Sequence, residues 1–262
     1  MSDAEKTILT EARSHVLHIG LNRAAKRNAF DLAMLEQLAG ALTDLEKNDD
    51  LRAGVIYAVG EHFTAGLDLA NVVPRFLSGE PLVPEGQVDP WAVFGRRRTK
   101  PLVVAARGRC LTLGIELILA ADIAIAASDT QFGQIEIRRG IFPFGGGTWR
   151  FPARVGWGNA MRWLLTGDTF DAAEAHRIGL VQEVVAPGAE HERATTIAET
   201  IARQAPLGVY ATLASAWQAE REGNAAAAQG LIPTLTRLTQ SEDAQEGFAS
   251  FIERRDAVFK GR

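Results

Sequence analysis

The sequence predicts an α/β fold with a helical carboxy-terminal region. Two stretches, residues 14–59 and 101–127, each show a strand, a loop, a helix and a second strand, read from apolar alternation and helical spacing. From residue 147 onward the pattern is mostly helical. Hydrophobic residues make up 47% of the 262 residues, which is enough for a sizeable core and argues against a disordered chain.

The first elements follow from alternation and spacing. Residues 7–22 alternate as strands do, and His15 and His18 are predicted to lie on the surface of that sheet. Asp31 can cap the next helix, in which leucines recur at intervals of three and four residues along one face. Residues 53–59 then form a short apolar strand.

The middle of the chain contains the least regular segment and the most regular one. Several prolines interrupt residues 72–100, which predicts a long loop that binds or covers a ligand. A strand at 101–106, a helix at 111–121 and a strand at 122–127 follow. An apolar helix is therefore expected between two buried strands.

The last part of the chain reads as short helices separated by glycines. Pro187 and Gly188 mark a boundary after these short helices. We therefore expect two regions, a core over residues 1–188 and a helical region of three or four helices over 189–262.

Composition excludes several classes of partner. The net charge is −4 and the isoelectric point is near 5.8, so neither nucleic acid nor an anionic membrane is expected as a partner. Cys110 is the only cysteine, which excludes an intramolecular disulfide and fits a reducing compartment. The polar amino terminus is unlike a signal peptide, and no apolar run has the ~20 residues that span a bilayer. We expect a cytoplasmic protein.

Two glutamates stand among apolar neighbours. Glu116 lies within the helical stretch 111–121, and Glu136 follows twenty residues later. A buried carboxylate must be hydrogen-bonded, neutralised or used, and burial raises its pKa towards neutrality. Either glutamate can be a rim residue that reaches water or half of an ion pair. If both face one substrate, they form an acid/base pair.

Five segments together resemble one known family. They are residues 22–30, residues 61–69, the glycine-containing stretch 108–122 with its Glu-Leu, the Phe-Gly-Gln-Ile-Glu of 132–136, and the glycine turn 145–148. In this order and spacing they are similar to the crotonase superfamily, that of the enoyl-CoA hydratases and isomerases. The resemblance covers nearly the whole chain.

The resemblance implies a fold and an assembly. The expected fold is α/β, a crotonase-like spiral of ββα turns with a carboxy-terminal helical region. In the family that region forms a homotrimer or a dimer of trimers and covers a neighbouring site. By this resemblance, Phe259 and Lys260 are possible contacts to coenzyme A bound by a neighbouring subunit.

The resemblance also implies the chemistry. The backbone N–H groups of Leu67 and Leu113 would form an oxyanion hole for the thioester oxygen, and such donors stabilise a developing enolate. Glu116 would be the base that takes a proton from water, and Glu136 would give a proton to the α-carbon. No metal ion and no prosthetic group is implied, because coenzyme A belongs to the substrate.

The expected substrate contacts come from four parts of the chain. By the resemblance, Lys26 and Arg27 can meet the phosphates of coenzyme A, whereas the residues alone favour a solvated basic loop. Phe144 lines the acyl pocket or packs in the core. The full set implied by the resemblance is Lys26, Arg27, Ala29, Ala65, Gly66, Asp68, Leu69, Gly114 and Phe144.

Two residues depart from the family pattern. Leu113 stands where the family has a glycine, and Leu67 adds bulk at the other donor. The N–H groups remain, but the side chains narrow the space beside the thioester. We therefore expect a narrowed acyl entrance and a preference for short acyl groups.

These observations predict an enoyl-CoA hydratase-like lyase that adds water to a 2-enoyl-CoA. One alternative is another reaction through the same enolate: double-bond isomerisation, dehalogenation or thioester hydrolysis. Another is an acyl-CoA-binding protein without catalysis, since the altered segment 112–114 could spoil the oxyanion hole. One scaffold supports many chemistries, so the fold alone does not separate these possibilities.

Overall fold

The computed structural model describes residues 6–262. Strands β1 to β9 occupy Ile8–Arg13, Val16–Leu21, Ala53–Ala58, Leu102–Ala106, Arg109–Leu111, Ile123–Ala127, Gln131–Gly133, Thr169–Asp171 and Glu183–Val185. Helices α1 to α10 occupy Leu32–Lys47, Leu69–Ser78, Leu113–Ala120, Gly147–Val155, Trp157–Thr166, Ala172–Arg177, Glu190–Ala202, Pro206–Glu222, Asn224–Thr239 and Glu242–Glu253. Within residues 6–262, no helix combines the length and the apolar character needed to cross a membrane.

The strands form two sheets that share the spiral of the chain. The larger sheet has the order β1-β2-β3-β4-β6-β9 and is parallel except for the β1–β2 pair. The smaller sheet has the order β5-β7-β8. Strands β4 and β6 of the larger sheet are each followed by a strand of the smaller sheet and then by a helix. This repeat is the ββα turn that the sequence resemblance predicted.

Helix α1 covers one face of the larger sheet as its sequence predicts. The Asp31 side chain accepts a hydrogen bond from the Met34 N–H at 2.9 Å, which satisfies a free donor of the first turn. The spaced leucines are all buried in the main core, together with Leu17, Ile19 and Leu21 of β2. Burial of this stripe stabilises the helix more than propensity does.

The other face of the sheet is buried as well, which corrects the prediction for His18. His15 is exposed, but His18 is only 1% exposed. Helix α7 packs on this face through Ala194 and Ala198, whose small side chains allow a close approach. His18 therefore lies against α7 and meets His191 at 3.2 Å. Alternation showed which face His18 occupies, but not that a distant helix covers it.

The segment 72–100 is not a loop throughout. Helix α2 extends to Ser78 with Pro74 inside it, so the prolines misled the prediction for these residues. The remainder, from Gly79 to the start of β4, is irregular apart from one bridge between Val88 and Arg96.

Candidate active site

Two neighbouring strands of the smaller sheet position the two glutamates. Glu116 lies in the first turn of α3, just after β5, and Glu136 begins a 3₁₀ turn just after β7. Strands β5 and β7 are parallel partners, with Leu111 opposite Gly133. The segments that follow them, which contain Glu116 and Glu136, therefore leave the sheet at the same end. The structure therefore brings the two predicted carboxylates together.

Glu116 is fully buried, and its two carboxylate oxygens differ in their hydrogen bonding. Its Oε1 accepts a hydrogen bond from the Gly147 N–H at 2.9 Å, whereas Oε2 has no hydrogen-bond partner within residues 6–262. Burial raises the pKa of Glu116 to about 7, opposed by the Gly147 N–H and by the positive charge of Arg150. A carboxyl with this pKa can take or give a proton near neutral pH.

Glu136 has a similar environment. It is 6% exposed, and its Oε2 also lacks a partner in the described part of the chain. With its amide oriented to satisfy its neighbours, Gln134 donates to the Thr112 carbonyl at 3.0 Å and to Glu136 Oε1 at 3.3 Å. Burial, and then the negative charge of Glu116, raise the pKa of Glu136 to about 8. The two groups therefore titrate as a coupled pair.

The two predicted oxyanion donors lie on adjacent segments. Thr64 and Cys110 form an isolated parallel β-bridge, and the Leu111 N–H donates to the Thr64 carbonyl at 3.1 Å. Leu67 follows shortly after Thr64, and Leu113 follows shortly after Cys110. Neither the Leu67 N–H nor the Leu113 N–H donates a hydrogen bond to any group of residues 6–262. Unpaired backbone donors beside buried carboxylates can bind a substrate oxygen.

Unusual backbone geometry is concentrated beside these donors. Gly66 has φ +92°, and a Cβ there would overlap the Thr112 hydroxyl. Thr112 itself has φ +50°, so the strained residue precedes Leu113. Such strain persists only where surrounding structure compensates for it, and it is common at functional sites.

Comparison with known proteins agrees with this geometry. The sequence model of the family described as enoyl-CoA hydratase/isomerase matches residues 11–262. The chain belongs to the enoyl-CoA hydratase/isomerase family. This membership confirms the resemblance drawn from the five sequence segments.

Individual members of the enoyl-CoA hydratase/isomerase family align over nearly their full length. The 2,3-dehydroadipyl-CoA hydratase of Escherichia coli is 33% identical, with 97% of this chain and 99% of that protein covered. The crystal structure of a probable enoyl-CoA hydratase/isomerase from Mycobacterium abscessus is 57% identical, with a TM-score of 0.95 over 98% of this chain and 99% of that one. The crystal structure of an enoyl-CoA hydratase from Mycobacterium tuberculosis is 34% identical, with a TM-score of 0.89 over 98% of this chain and 100% of that one.

The residues predicted to bind the nucleotide of coenzyme A lie beside residues 64–67, the first of the two predicted oxyanion segments of this hydratase/isomerase-family chain. The Arg27 carbonyl accepts from the Ala65 N–H at 2.9 Å, which joins the loop of Lys26 and Arg27 to the segment before Gly66. Both basic side chains are exposed, and Ala29 is half-buried nearby. The loop of Lys26 and Arg27 is therefore held against the segment that leads to Leu67.

Asp68 and Gly114 have structural partners. Asp68 forms a salt bridge with Arg23 at 2.9 Å, and Arg23 forms a second one with Asp31 at 3.0 Å. The charge of Arg23 is thus paired with two carboxylates of its own chain. A Cβ at Gly114 would lie 2.5 Å from Thr64 Cγ2, which shows that Gly114 lets α3 approach the segment that contains Thr64. Leu69, the remaining residue of the set, is 38% exposed at the start of α2.

Phe144 lies between two cavities. A small cavity of about 30 Å³ is bounded by Leu113, Trp91, Gly145 and Phe144 among others. Phe144 also lines a chamber of about 640 Å³ beneath residues 79–87, where it meets Phe76 edge-on at 5.2 Å between ring centroids. The space beside Leu113 is narrow, and a larger apolar space opens beyond it.

Phe259 and Lys260 are not brought to the site of their own chain. The Phe259 carbonyl accepts from Arg52 Nη2 at 2.9 Å, and the Lys260 N–H donates to Asp243 Oδ1 at 2.6 Å. Arg52 precedes β3 in the larger sheet, whereas the two glutamates follow strands of the smaller sheet. A role at a neighbouring site stays a prediction.

Sequence reasoning missed three residues that touch the carboxylates or their supports. Gln134 bridges Glu136 to the backbone of Thr112, and the Gly147 N–H binds Glu116. Arg150 is buried behind the glycine turn. Gln134 and Gly147 lie inside segments that carried the family resemblance, which is the signal that could have identified them.

Proposed function

We propose that the protein adds water across the double bond of a 2-enoyl-CoA thioester. The observation that carries the proposal is the pairing of two buried carboxylates of raised pKa, Glu116 and Glu136, with two unpaired backbone donors. Family membership supports the acyl-CoA substrate class. Isomerisation requires one carboxylate, whereas hydration uses both, and both are present.

In the proposed reaction the Leu67 and Leu113 N–H groups bind the thioester oxygen. Glu116 takes a proton from water while the water oxygen bonds to the β-carbon, and the double-bond electrons move to an enolate on the thioester. Glu136 then gives its proton to the α-carbon. Each preorganised backbone donor stabilises the enolate by about 2.7–4 kcal/mol.

The hydrogen bond from Gly147 to Glu116 supports this division of roles. Glu116 titrates near 7 and Glu136 near 8, so at a pH between them the pair carries one negative charge and one proton. The charge is favoured on Glu116, which receives the Gly147 hydrogen bond. Because carboxylates and backbone donors supply the catalysis, the proposed reaction needs no metal ion or prosthetic group.

Exposed Lys26 and Arg27 supply positive charge for the phosphates of coenzyme A. The acyl group would pass Leu113 towards Phe144. Neutralising both basic residues should raise KM for crotonyl-CoA and leave kcat nearly unchanged, because they lie away from the reacting atoms. An unchanged KM would show that Lys26 and Arg27 do not bind the phosphates of coenzyme A.

We also propose that the chain assembles as a homotrimer or a dimer of trimers. Several large apolar side chains on α9 and α10 are more than half exposed, which is unusual for a surface without a partner. They are Leu231, Ile232, Leu235, Phe248, Phe251 and Ile252. Sedimentation velocity tests this directly, and a monomer at micromolar concentration would contradict it.

The central test is loss of the enone absorbance of crotonyl-CoA on adding protein. Glu116→Gln and Glu136→Gln should each lower kcat by about two or more powers of ten while crotonyl-CoA still binds. Glu36→Gln, on the exposed side of α1, is the matched control and should keep the wild-type rate. Retained turnover in both site variants would refute the mechanism. Binding without turnover by the wild type would point to another enolate reaction or to a binding role.

A further inference from the structure

A buried carboxylate organises the loop that faces the candidate site. Asp89 is 3% exposed, and its Oδ1 accepts from the Trp91 N–H at 2.9 Å. Its Oδ2 accepts from the N–H groups of Val93 and Phe94 at 2.9 and 2.8 Å. A charged acceptor with several backbone donors makes a strong, rigid turn. The loop therefore presents Trp91 in one orientation.

Trp91 connects this loop to the second oxyanion donor. Its indole Nε1–H donates to the Leu113 carbonyl at 3.0 Å, and its ring packs edge-on against Phe30. Trp91 is 5% exposed, so this hydrogen bond is shielded from water. Leu113 is the first residue of α3, and its carbonyl belongs to the peptide unit next to the one whose N–H is unpaired. The hydrogen bond from Trp91 therefore restrains Leu113 on the side opposite to its free N–H.

Arg150 connects the same loop to the turn that binds Glu116. Its Nη1 donates to the Trp91 carbonyl at 2.6 Å and lies 3.5 Å from the Gly145 carbonyl, while its Nη2 donates to the Ala92 carbonyl at 3.0 Å. Arg150 is 6% exposed and forms no ion pair with a residue of the described chain. Its guanidinium thus lies behind the glycine turn whose other side meets Glu116.

We propose that Trp91 and Arg150 are positioning residues that hold the Leu113 donor and the Glu116 carboxylate in one rigid unit. This inference rests on the proposed function. Neither side chain touches the reacting atoms in the proposed reaction. Trp91 acts through the carbonyl of Leu113, and Arg150 acts through the glycine turn and through its charge.

The role of Trp91 is tested by Trp91→Phe, which keeps an aromatic ring and removes the Nε1–H. We expect kcat to fall by about 10-fold with KM within about twofold, less than the 10²–10³-fold of a lost donor. The carbonyl band of bound butanoyl-CoA, which cannot be hydrated, should also move back towards its frequency in water. Trp157→Phe, at a 72% exposed tryptophan, is the matched control and should change neither readout.

The role of Arg150 is tested by two variants. Glu136 and Arg150 are the charged groups that act on Glu116, so Arg150→Met should raise the pKa of Glu116 and move the acidic limb of the kcat/KM profile to higher pH. Arg150→Lys keeps the charge but cannot reach both loop carbonyls. Arg150→Lys should therefore return the acidic limb to its wild-type pH, with kcat still about 10-fold below that of the wild type. Arg154→Met, one turn further along α4, is the control.

Several results would overturn the inference. They are wild-type kcat and carbonyl band in Trp91→Phe, or an unmoved acidic limb in Arg150→Met. Carboxyl NMR of Glu116 in the ligand-free protein reports the Arg150 effect without turnover, and an unchanged pKa in a folded Arg150→Met would also overturn it. Failure of the proposed function is distinct, because the wild type would then neither hydrate crotonyl-CoA nor polarise the butanoyl-CoA carbonyl.

Discussion

Gly66 packs against the Thr112 side chain so closely that no Cβ fits between them. This contact joins the segment of one proposed oxyanion donor to the segment of the other, which is distant in sequence. The spacing of the two N–H groups therefore depends on the absence of a side chain at position 66. Gly66 also has φ +92°, a conformation that other residues rarely adopt.

Gly66→Ala should consequently impair catalysis. A methyl group must push the Thr112 side chain away, and a displacement of about 1 Å at a catalytic group can lower the rate by about 100-fold. We expect such a loss in kcat for crotonyl-CoA. Gly79→Ala is the control, because Gly79 has φ +71° but no atom within 4 Å of an added Cβ. Equal kcat in the two variants would show that the overlap at Gly66 is unimportant.

The rate of hydration should depend on pH as a narrow bell. Activity requires Glu116 ionised and Glu136 protonated, and their pKa values are about 7 and about 8. We expect kcat/KM to be highest between these values and to fall on either side. A profile that is flat from about pH 5 to about pH 9 would contradict the two-carboxyl mechanism.

Stability should change with pH in the opposite sense to that of an ordinary ion pair. The folded-state pKa values of Glu116 and Glu136 lie above the ordinary value of 4.5 for a glutamate, so the folded state binds more protons than the unfolded state above about pH 4.5. Their contribution to the free energy of unfolding is present at low pH and is lost as pH rises through about 7 to 8.

Glu136→Gln removes this dependence for one group. Relative to the wild type, its free energy of unfolding should rise between about pH 5 and about pH 9 by roughly 2–4 kcal/mol. Urea denaturation at the two pH values measures the difference. A constant difference would mean that Glu136 has an ordinary pKa in the folded protein.

Phe144 should control which acyl groups are accepted. It separates the small cavity beside Leu113 from the chamber of about 640 Å³. Phe144→Ala should therefore raise kcat/KM for decenoyl-CoA relative to crotonyl-CoA by about 10-fold, because the longer chain gains buried area. Phe142→Ala, at a 64% exposed phenylalanine, should leave the ratio unchanged. An unchanged ratio in Phe144→Ala would assign this ring to core packing.

Local signals predicted much of the fold. The Asp31 cap and the spaced leucines predicted α1, and the apolar stretch around Glu116 predicted α3 with its flanking strands. The prediction failed at α2 because Pro74 lies inside that helix, and at His18 because α7 covers the face that it occupies. The first error came from a local signal that the helix tolerates, and the second concerns a packing partner that a local pattern does not contain.

The sequence by itself determined the family, the two candidate carboxylates and the segments of the two backbone donors, because each is carried by a run of consecutive residues. Only the tertiary structure decided that Glu116 and Glu136 share one buried environment, since this depends on the parallel pairing of β5 with β7. It alone placed Trp91 and Arg150 behind that environment, because their partners are carbonyl groups, which every residue has and no sequence pattern marks.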